Sequence, residues 1–237
     1  MDMQSPEGSR ALVTGASRGV GRAVALALKA AGMAVTGTAR ASADLDGLAA
    51  EGMDVWAEDA TSDALLARIR DAAPFHLLVN NAGVARHAPL ADTPDADIDA
   101  VLALNLRATL RITREAVRRM ERGASVVTVT SQMAHVGGPD RVVYCATKAA
   151  LEGMSRALAV ELAPRGIRSN CVAPTFVATA MTAATLGDPD KREWVESNIP
   201  LGRVAMPGEI ARAVLYLAGA DMVTGTSLLV DGGWTAR

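Results

Sequence analysis

Tyr144 and Lys148 stand four residues apart in a stretch of helical periodicity, which puts a phenol and an ammonium on one helix face. A phenol titrates near 10 and is a poor proton donor or acceptor at neutral pH. A neighbouring cation, and an oxidised nicotinamide ring, would draw that value toward the working range. Such a tyrosine can exchange the proton that accompanies hydride transfer to or from a carbonyl. The Tyr-x-x-x-Lys spacing alone is common by chance. Its surroundings give it weight: Ser131 closes an apolar run thirteen residues earlier, and Asn105 lies in the preceding long helical segment.

A second constellation lies near the N-terminus. Thr14-Gly15-Ala16-Ser17-Arg18-Gly19-Val20-Gly21 joins an apolar run to a helix-period segment. Glycines there allow a tight turn and close backbone approach to a pyrophosphate, while the helix N-terminus offers free N–H groups and partial positive charge. A glycine-rich turn without function is the plain alternative; the strand before and the helix after decide against it. The second run ends in Thr38-Ala39-Arg40. A site for NAD usually carries a carboxylate there for the ribose 2′-hydroxyl, and an arginine instead accommodates a 2′-phosphate. Ala39 cannot bind a diol. Arg40, joined by Arg18 from the glycine turn, can pair with a phosphate, so NADP(H) is expected over NAD(H), against the alternative of two solvated arginines. Asp59, followed by Ala60, suits a hydrogen bond from the adenine amino group or a place beside a helix N-cap before Ser62.

These residues need a frame. Short apolar runs at Ala11–Thr14, Ala34–Thr38, Met53–Ala57, Leu77–Val79, Ser125–Thr130, Ile167–Val172 and Leu228–Val230 read as strands. Helical periodicity covers Val20–Ala31, the neighbourhoods of Asp44–Ala50 and Asp63–Ala72, then Ile98–Met120, Val143–Leu162 and Gly208–Ala218. Strands that are apolar throughout, alternating with helices, predict an α/β fold: a parallel sheet buried on both faces. One domain is expected over residues 1–237, with 10–130 mainly binding cofactor and 131–237 carrying the catalytic residues. Thr175–Pro200 is the least regular stretch and suits a substrate lid.

The bulk numbers exclude several classes. Lys plus Arg is 24 and Asp plus Glu is 26, which leaves no electrostatic footprint for nucleic acid or an anionic membrane. Aromatics at 3% argue against a base-stacking platform. The two cysteines, Cys145 and Cys171, suggest neither a disulfide framework nor a metal site. Met1–Arg10 is polar without a signal-like apolar region, and no apolar run matches a membrane span, so the cytoplasm is expected.

Taken together, the motifs resemble those of the short-chain dehydrogenase/reductase family over nearly the whole chain. They are the glycine turn Thr14–Gly21, Asn80-Asn81-Ala82-Gly83, Asn105, Ser131, Tyr144-x-x-x-Lys148 and Val230-Asp231-Gly232-Gly233. The resemblance implies a Rossmann-type, doubly wound sheet of seven parallel strands and a homotetramer, or a homodimer. It implies Tyr144 as acid or base, Ser131 as the group orienting the carbonyl, and Lys148 as ribose ligand and tuner of Tyr144. Asn105 would hold a proton-relay water, and Asn81 would support cofactor and sheet. Val177 and Thr179 match positions contacting the nicotinamide carboxamide and phosphates. Where relatives often carry Pro-Gly, this chain has Pro174-Thr175, so a β-branched hydroxyl stands beside the nicotinamide site.

The substrate is expected to be a small carbonyl or alcohol compound. Its pocket is assigned to Gln132, Met133, His135, Arg141, Phe176, Met181 and Trp194, with the segment Val84–His87. The arginines 107, 111, 114, 118 and 122 follow helical spacing and read as a solvated or inter-subunit face. Arg122 and Arg165 also match positions by which 3-oxoacyl-[acyl-carrier-protein] reductases hold their carrier, a weaker alternative beside sugar or polyol dehydrogenases. A non-catalytic NADP(H) sensor would not need Asn105, Ser131, Tyr144 and Lys148 together. Halohydrin-dehalogenating relatives lack the lysine and the glycine turn, and enoyl reductases space tyrosine and lysine wider.

Overall fold

A computed structural model describes residues 8–236, so the polar N-terminal stretch before residue 8 lies outside the described residues. Seven strands form one parallel sheet in the order β3-β2-β1-β4-β5-β6-β7. They are β1 Arg10–Thr14, β2 Ala34–Ala39, β3 Asp54–Ala57, β4 Leu77–Asn80, β5 Ser125–Val129, β6 Arg168–Pro174 and β7 Ser227–Val230. The order reverses between β1 and β4, and a crevice opens at such a point at the carboxyl edge of the sheet. Every residue of β4, β5 and β6 is buried, the polar Asn80, Ser125, Thr128 and Arg168-Ser169-Asn170 included; β7, at the edge, is partly open.

Helices cover both faces. On one, α1 (Gly19–Ala30) packs against α9 (Pro207–Gly219), with Val24, Leu28, Val214 and Leu217 buried on the sheet. The small α2 (Asp46–Ala50) adds Leu48 to that layer. On the other, α3 (Asp63–Asp71), α5 (Thr109–Val117) and α6 (Val142–Leu162) bury Leu65, Ile112 and Leu162 against Leu12 and Leu78. Ser62 caps α3, its Oγ accepting from Leu65 N at 3.1 Å.

Two expectations change. The helix expected over Ile98–Met120 is α4 (Asp95–Val101), a π-helical segment Leu102–Ala108, and α5. The π segment widens the helix at Asn105, a device frequent at functional sites. The stretch Thr175–Pro200 is more regular than its prolines suggest, holding α7 (Ala183–Leu186) and α8 (Pro189–Ser197). Pro189 does not break a helix there but starts one. Asp188 caps it, accepting from Asp190 N and Lys191 N at 3.2 Å. Phe176, Val195 and Ile199 bury this segment against Trp234.

The close approach of α1 to the sheet rests on Gly21. A Cβ there would meet Gly15 O at 2.2 Å and Asn81 Nδ2 at 2.4 Å. Gly21→Ala is therefore expected to lose about 1–3 kcal/mol in urea unfolding. An unchanged midpoint would show that the turn opens freely.

Candidate active site

The carboxyl ends of β1, β2, β4, β5 and β6 line a single cleft of about 670 Å³. Its floor near β1 is the glycine turn, where Gly15 and Gly19 take φ of +64° and +55°, the left-handed region open to glycine. The turn is held from β4. Asn81 Nδ2 donates to Thr14 O and Gly15 O, both at 3.0 Å, while Thr14 Oγ1 accepts from Asn81 N at 3.0 Å and Ala82 N at 3.1 Å. The first turn of α1 carries no acidic residue and its N-cap, Arg18, makes no side-chain cap, so its N–H groups face the cleft unblocked. Gly15, Ser17, Arg18, Gly19, Val20 and Gly21 line this end, with Arg40, Asp59 and Ala60 along the wall beyond. Arg18 and Arg40 are exposed, and neither enters an ion pair among the described residues. Asp59 Oδ1 accepts from Thr61 N and Oγ1, which fixes the turn before the Ser62 cap. The turn, the bare helix end and the free cations fit the pyrophosphate and 2′-phosphate of a dinucleotide.

At the other end, Ser131, Tyr144 and Lys148 meet. Burial pushes the Tyr144 phenol up, while a hydrogen bond with Ser131 and the Arg141 charge pull it back. Ser131 Oγ also accepts from Met133 N at 3.1 Å. Lys148 is buried; its Nζ donates to Val129 O at 3.0 Å and lies 5.6 Å from the Tyr144 ring centroid. Arg141 is thus a further cation acting on the phenol, beside Lys148, which was expected to tune it. Burial lowers Lys148 to about 8, against partial support from Cys171 and Glu152.

Asn105 is buried in the π segment. Its Oδ1 accepts from Val84 N at 2.8 Å and its Nδ2 donates to Val84 O at 2.9 Å. The side chain therefore braces the loop after β4, and a relay water would fall to its main-chain oxygen, which accepts from Thr109 Oγ1 at 2.8 Å. Ala82, Gly83, Pro174, Thr175, Val177 and Thr179 all line the cleft. The Thr175 hydroxyl is buried there without a hydrogen-bond partner, as are both polar atoms of Gln132.

Gln132, Met133, Arg141, Phe176 and Met181 line the cleft as expected of a substrate pocket, Met181 at an exposed position. His135 and Trp194 do not. The His135 ring turns to Ser227 Oγ at 3.1 Å and lies 3.5 Å from Glu152 Oε1. Trp194 stacks edge-on against Trp234, which in turn packs on Phe176, so it supports the cleft from behind. His87, the last residue of the segment assigned to the pocket but without a motif of its own, lines the cleft, meets the Tyr144 ring edge-on at 5.9 Å and bonds Arg141 Nη1 at 2.8 Å. Its signal was position alone, six residues after Asn81 at the sheet's carboxyl edge. Among the described residues no helix is long and apolar enough to cross a membrane, and no acid, histidine and cysteine cluster could hold a metal.

A family model described as enoyl-(acyl carrier protein) reductase matches residues 15–235. The chain is similar to D-erythrulose reductase of Gallus gallus, 41% identical with 96% of each chain covered. It is similar to 3-oxoacyl-[acyl-carrier-protein] reductase of Escherichia coli, 39% identical with 96% of this chain and 97% of the relative covered. Among solved structures it is similar to a gluconate 5-dehydrogenase from Burkholderia cenocepacia in complex with NADP and tartrate. That match has a TM-score of 0.93 and 29% identity, covering 100% of this chain and 98% of the other.

Burial of Lys148 has a consequence for stability. The unfolded chain keeps that proton up to about 10.5, and the folded amine releases it near 8. Between these values the unfolded state binds more protons, so stability rises with pH across the window. Lys148→Met should remove that rise, at most about 3 kcal/mol. A difference between the two proteins that stays constant from pH 8 to 10 would show the amine to be solvated.

Proposed function

The chain belongs to the short-chain dehydrogenase/reductase family and is an oxidoreductase of CH–OH and C=O groups, and we propose that it is NADP(H)-dependent and acts on small polyhydroxylated ketones or the matching alcohols. The observation that carries this reading is that Ser131, Tyr144 and Lys148 come together at the far end of the cleft that begins at the glycine turn. When bound, the reduced nicotinamide supplies the hydride that reaches the carbonyl carbon. Tyr144 then gives its phenolic proton to the carbonyl oxygen, and takes it back in the reverse direction. Ser131, fixed by the Met133 amide, orients that oxygen. Lys148, anchored on Val129 O, presents the rest of its ammonium to the ribose side. Thr175 offers its unpartnered hydroxyl to the same wall.

For the cofactor, the exposed Arg18 and Arg40, neither in a direct ion pair, and Ala39 where a carboxylate would stand, support the phosphorylated form. The NADP held by the gluconate 5-dehydrogenase neighbour points the same way. For the substrate, the erythrulose reductase relative supports a sugar-like ketone. A carrier-linked acyl ketone is the second reading, favoured by Arg122 and Arg165 lying together: Arg122 packs over Gly166, next to Arg165. It is weakened because Arg165 Nη2 already donates to Met120 O at 2.7 Å. Arg111 pairs with Asp63, and Arg114 and Arg118 share the buried Glu115, so three of those five arginines already have a carboxylate partner. Exposed Leu110, Val160 and Tyr216 support a homotetramer or homodimer. The free thiols of Cys145 and Cys171 suit the reducing cytoplasm.

Tyr144→Phe should keep NADPH binding and lose about 10²- to 10⁴-fold in turnover. Unchanged turnover would remove Tyr144 from the proton transfer. Arg40→Ala should weaken NADPH by about tenfold, the worth of one charge-assisted contact, and NADH far less. A wild type that prefers NADH in a binding titration would overturn the cofactor reading.

A further inference from the structure

We propose that Arg141, supported by His87, clamps a carboxylate of the substrate, so that the site takes an anionic hydroxy-keto acid in preference to an uncharged ketone; this rests on the oxidoreductase reading above. Arg141 precedes α6 and stands three residues before Tyr144, at the substrate end of the cleft. Its guanidinium lies 5.4 Å over the Phe176 ring, which presses the plane against one wall and leaves its edges open. Nη1 bonds His87 Nε2 at 2.8 Å. A guanidinium only donates, so Nε2 accepts and the imidazole proton stays on Nδ1. Burial and the Arg141 charge hold His87 in that neutral form. Among the described residues the remaining donors of Arg141 have no protein acceptor, and no carboxylate lies within ion-pair distance.

The charge around it sharpens the argument. Arg86, in the same wall, is already paired with Asp97. The acidic residues that line the cleft are Asp44, Glu58 and Asp59, which follow β2 and β3 on the far side of the sheet's reversal. Asp140 is exposed and outside the cleft lining. The catalytic end therefore presents a half-buried guanidinium without a counter-ion, which a planar carboxylate would satisfy through two parallel hydrogen bonds. Gln132 supplies a second, independent sign of a polar ligand. It is 1% exposed, lines the same cleft, and neither its Oε1 nor its Nε2 has a partner. Hydroxyl groups of a polyhydroxylated chain would satisfy both. In reduction the hydride goes to the carbonyl carbon and the Tyr144 proton to its oxygen, and the carboxylate passes through unchanged.

Binding and turnover separate the two claims. The NADPH-bound protein is titrated with D-gluconate and with D-glucitol, chains of equal length that differ in the carboxylate. Reduction of a keto-gluconate and of D-fructose is measured beside it. Gluconate should bind about tenfold tighter than glucitol. Arg141→Gln should cut that ratio about fivefold or more, and Arg141→Lys should keep most of it. Equal affinities, no measurable binding of either, or a ratio unmoved by Arg141→Gln would overturn the clamp. A preference for gluconate with neither ketone reduced would leave the clamp standing and sink the hydride-transfer reading instead.

Discussion

How near the first helix can come to the first strand decides the geometry of the whole cleft. Gly21 touches Gly15 where a methyl group has no room, and Asn81 reaches across from β4 to hold the same two carbonyls. The consecutive β1 and α1 are thereby locked to the distant end of β4 at one point, the reversal of strand order. From there the wall after β2, with Arg40, and the wall after β5, with Ser131, take fixed positions on either side. A slack turn would misplace both ends of a cofactor-sized ligand at once.

The chemistry at the far end is a balance between loss of water and nearby cations. Burial disfavours charge on both Tyr144 and Lys148, raising one and lowering the other. The groups that offset this for Tyr144 are Ser131 and Arg141, which also face the substrate space. Substrate recognition and proton transfer are thus electrostatically linked through one guanidinium, since whatever neutralises Arg141 also changes the field on the phenol.

Much of this was legible in the sequence, unevenly. The central strands were readable because burial on both faces favours apolar residues, and the partly open β3 and β7 were readable from short apolar runs. The cofactor end was readable because backbone constraints on glycine are local. The π segment was not: it keeps the apolar spacing of a helix while changing its hydrogen bonding, so Asn105 read as a residue of a regular helix. Pro189 read as an interruption because its meaning depends on Asp188 acting as a cap. His135 and Trp194 were misplaced, and the ring of His87 was given no role of its own, for one reason. The direction of a loop side chain is set by neighbours from other elements, here Ser227, Trp234 and Arg141.

Behind the cleft, Glu152 lies one turn beyond Lys148 on α6, buried to 4% exposure. Its Oε1 accepts from Thr130 Oγ1 at 2.7 Å and from Ser227 Oγ at 2.8 Å. Ser227 opens β7, the last strand of the chain. A carboxylate so deeply enclosed and short of one donor carries a penalty of about 1–3 kcal/mol or more. The setting of the helix that bears the catalytic pair is therefore tied through one carboxylate to β5's end and to β7, so a change at the outer edge of the sheet reaches the reaction centre from behind.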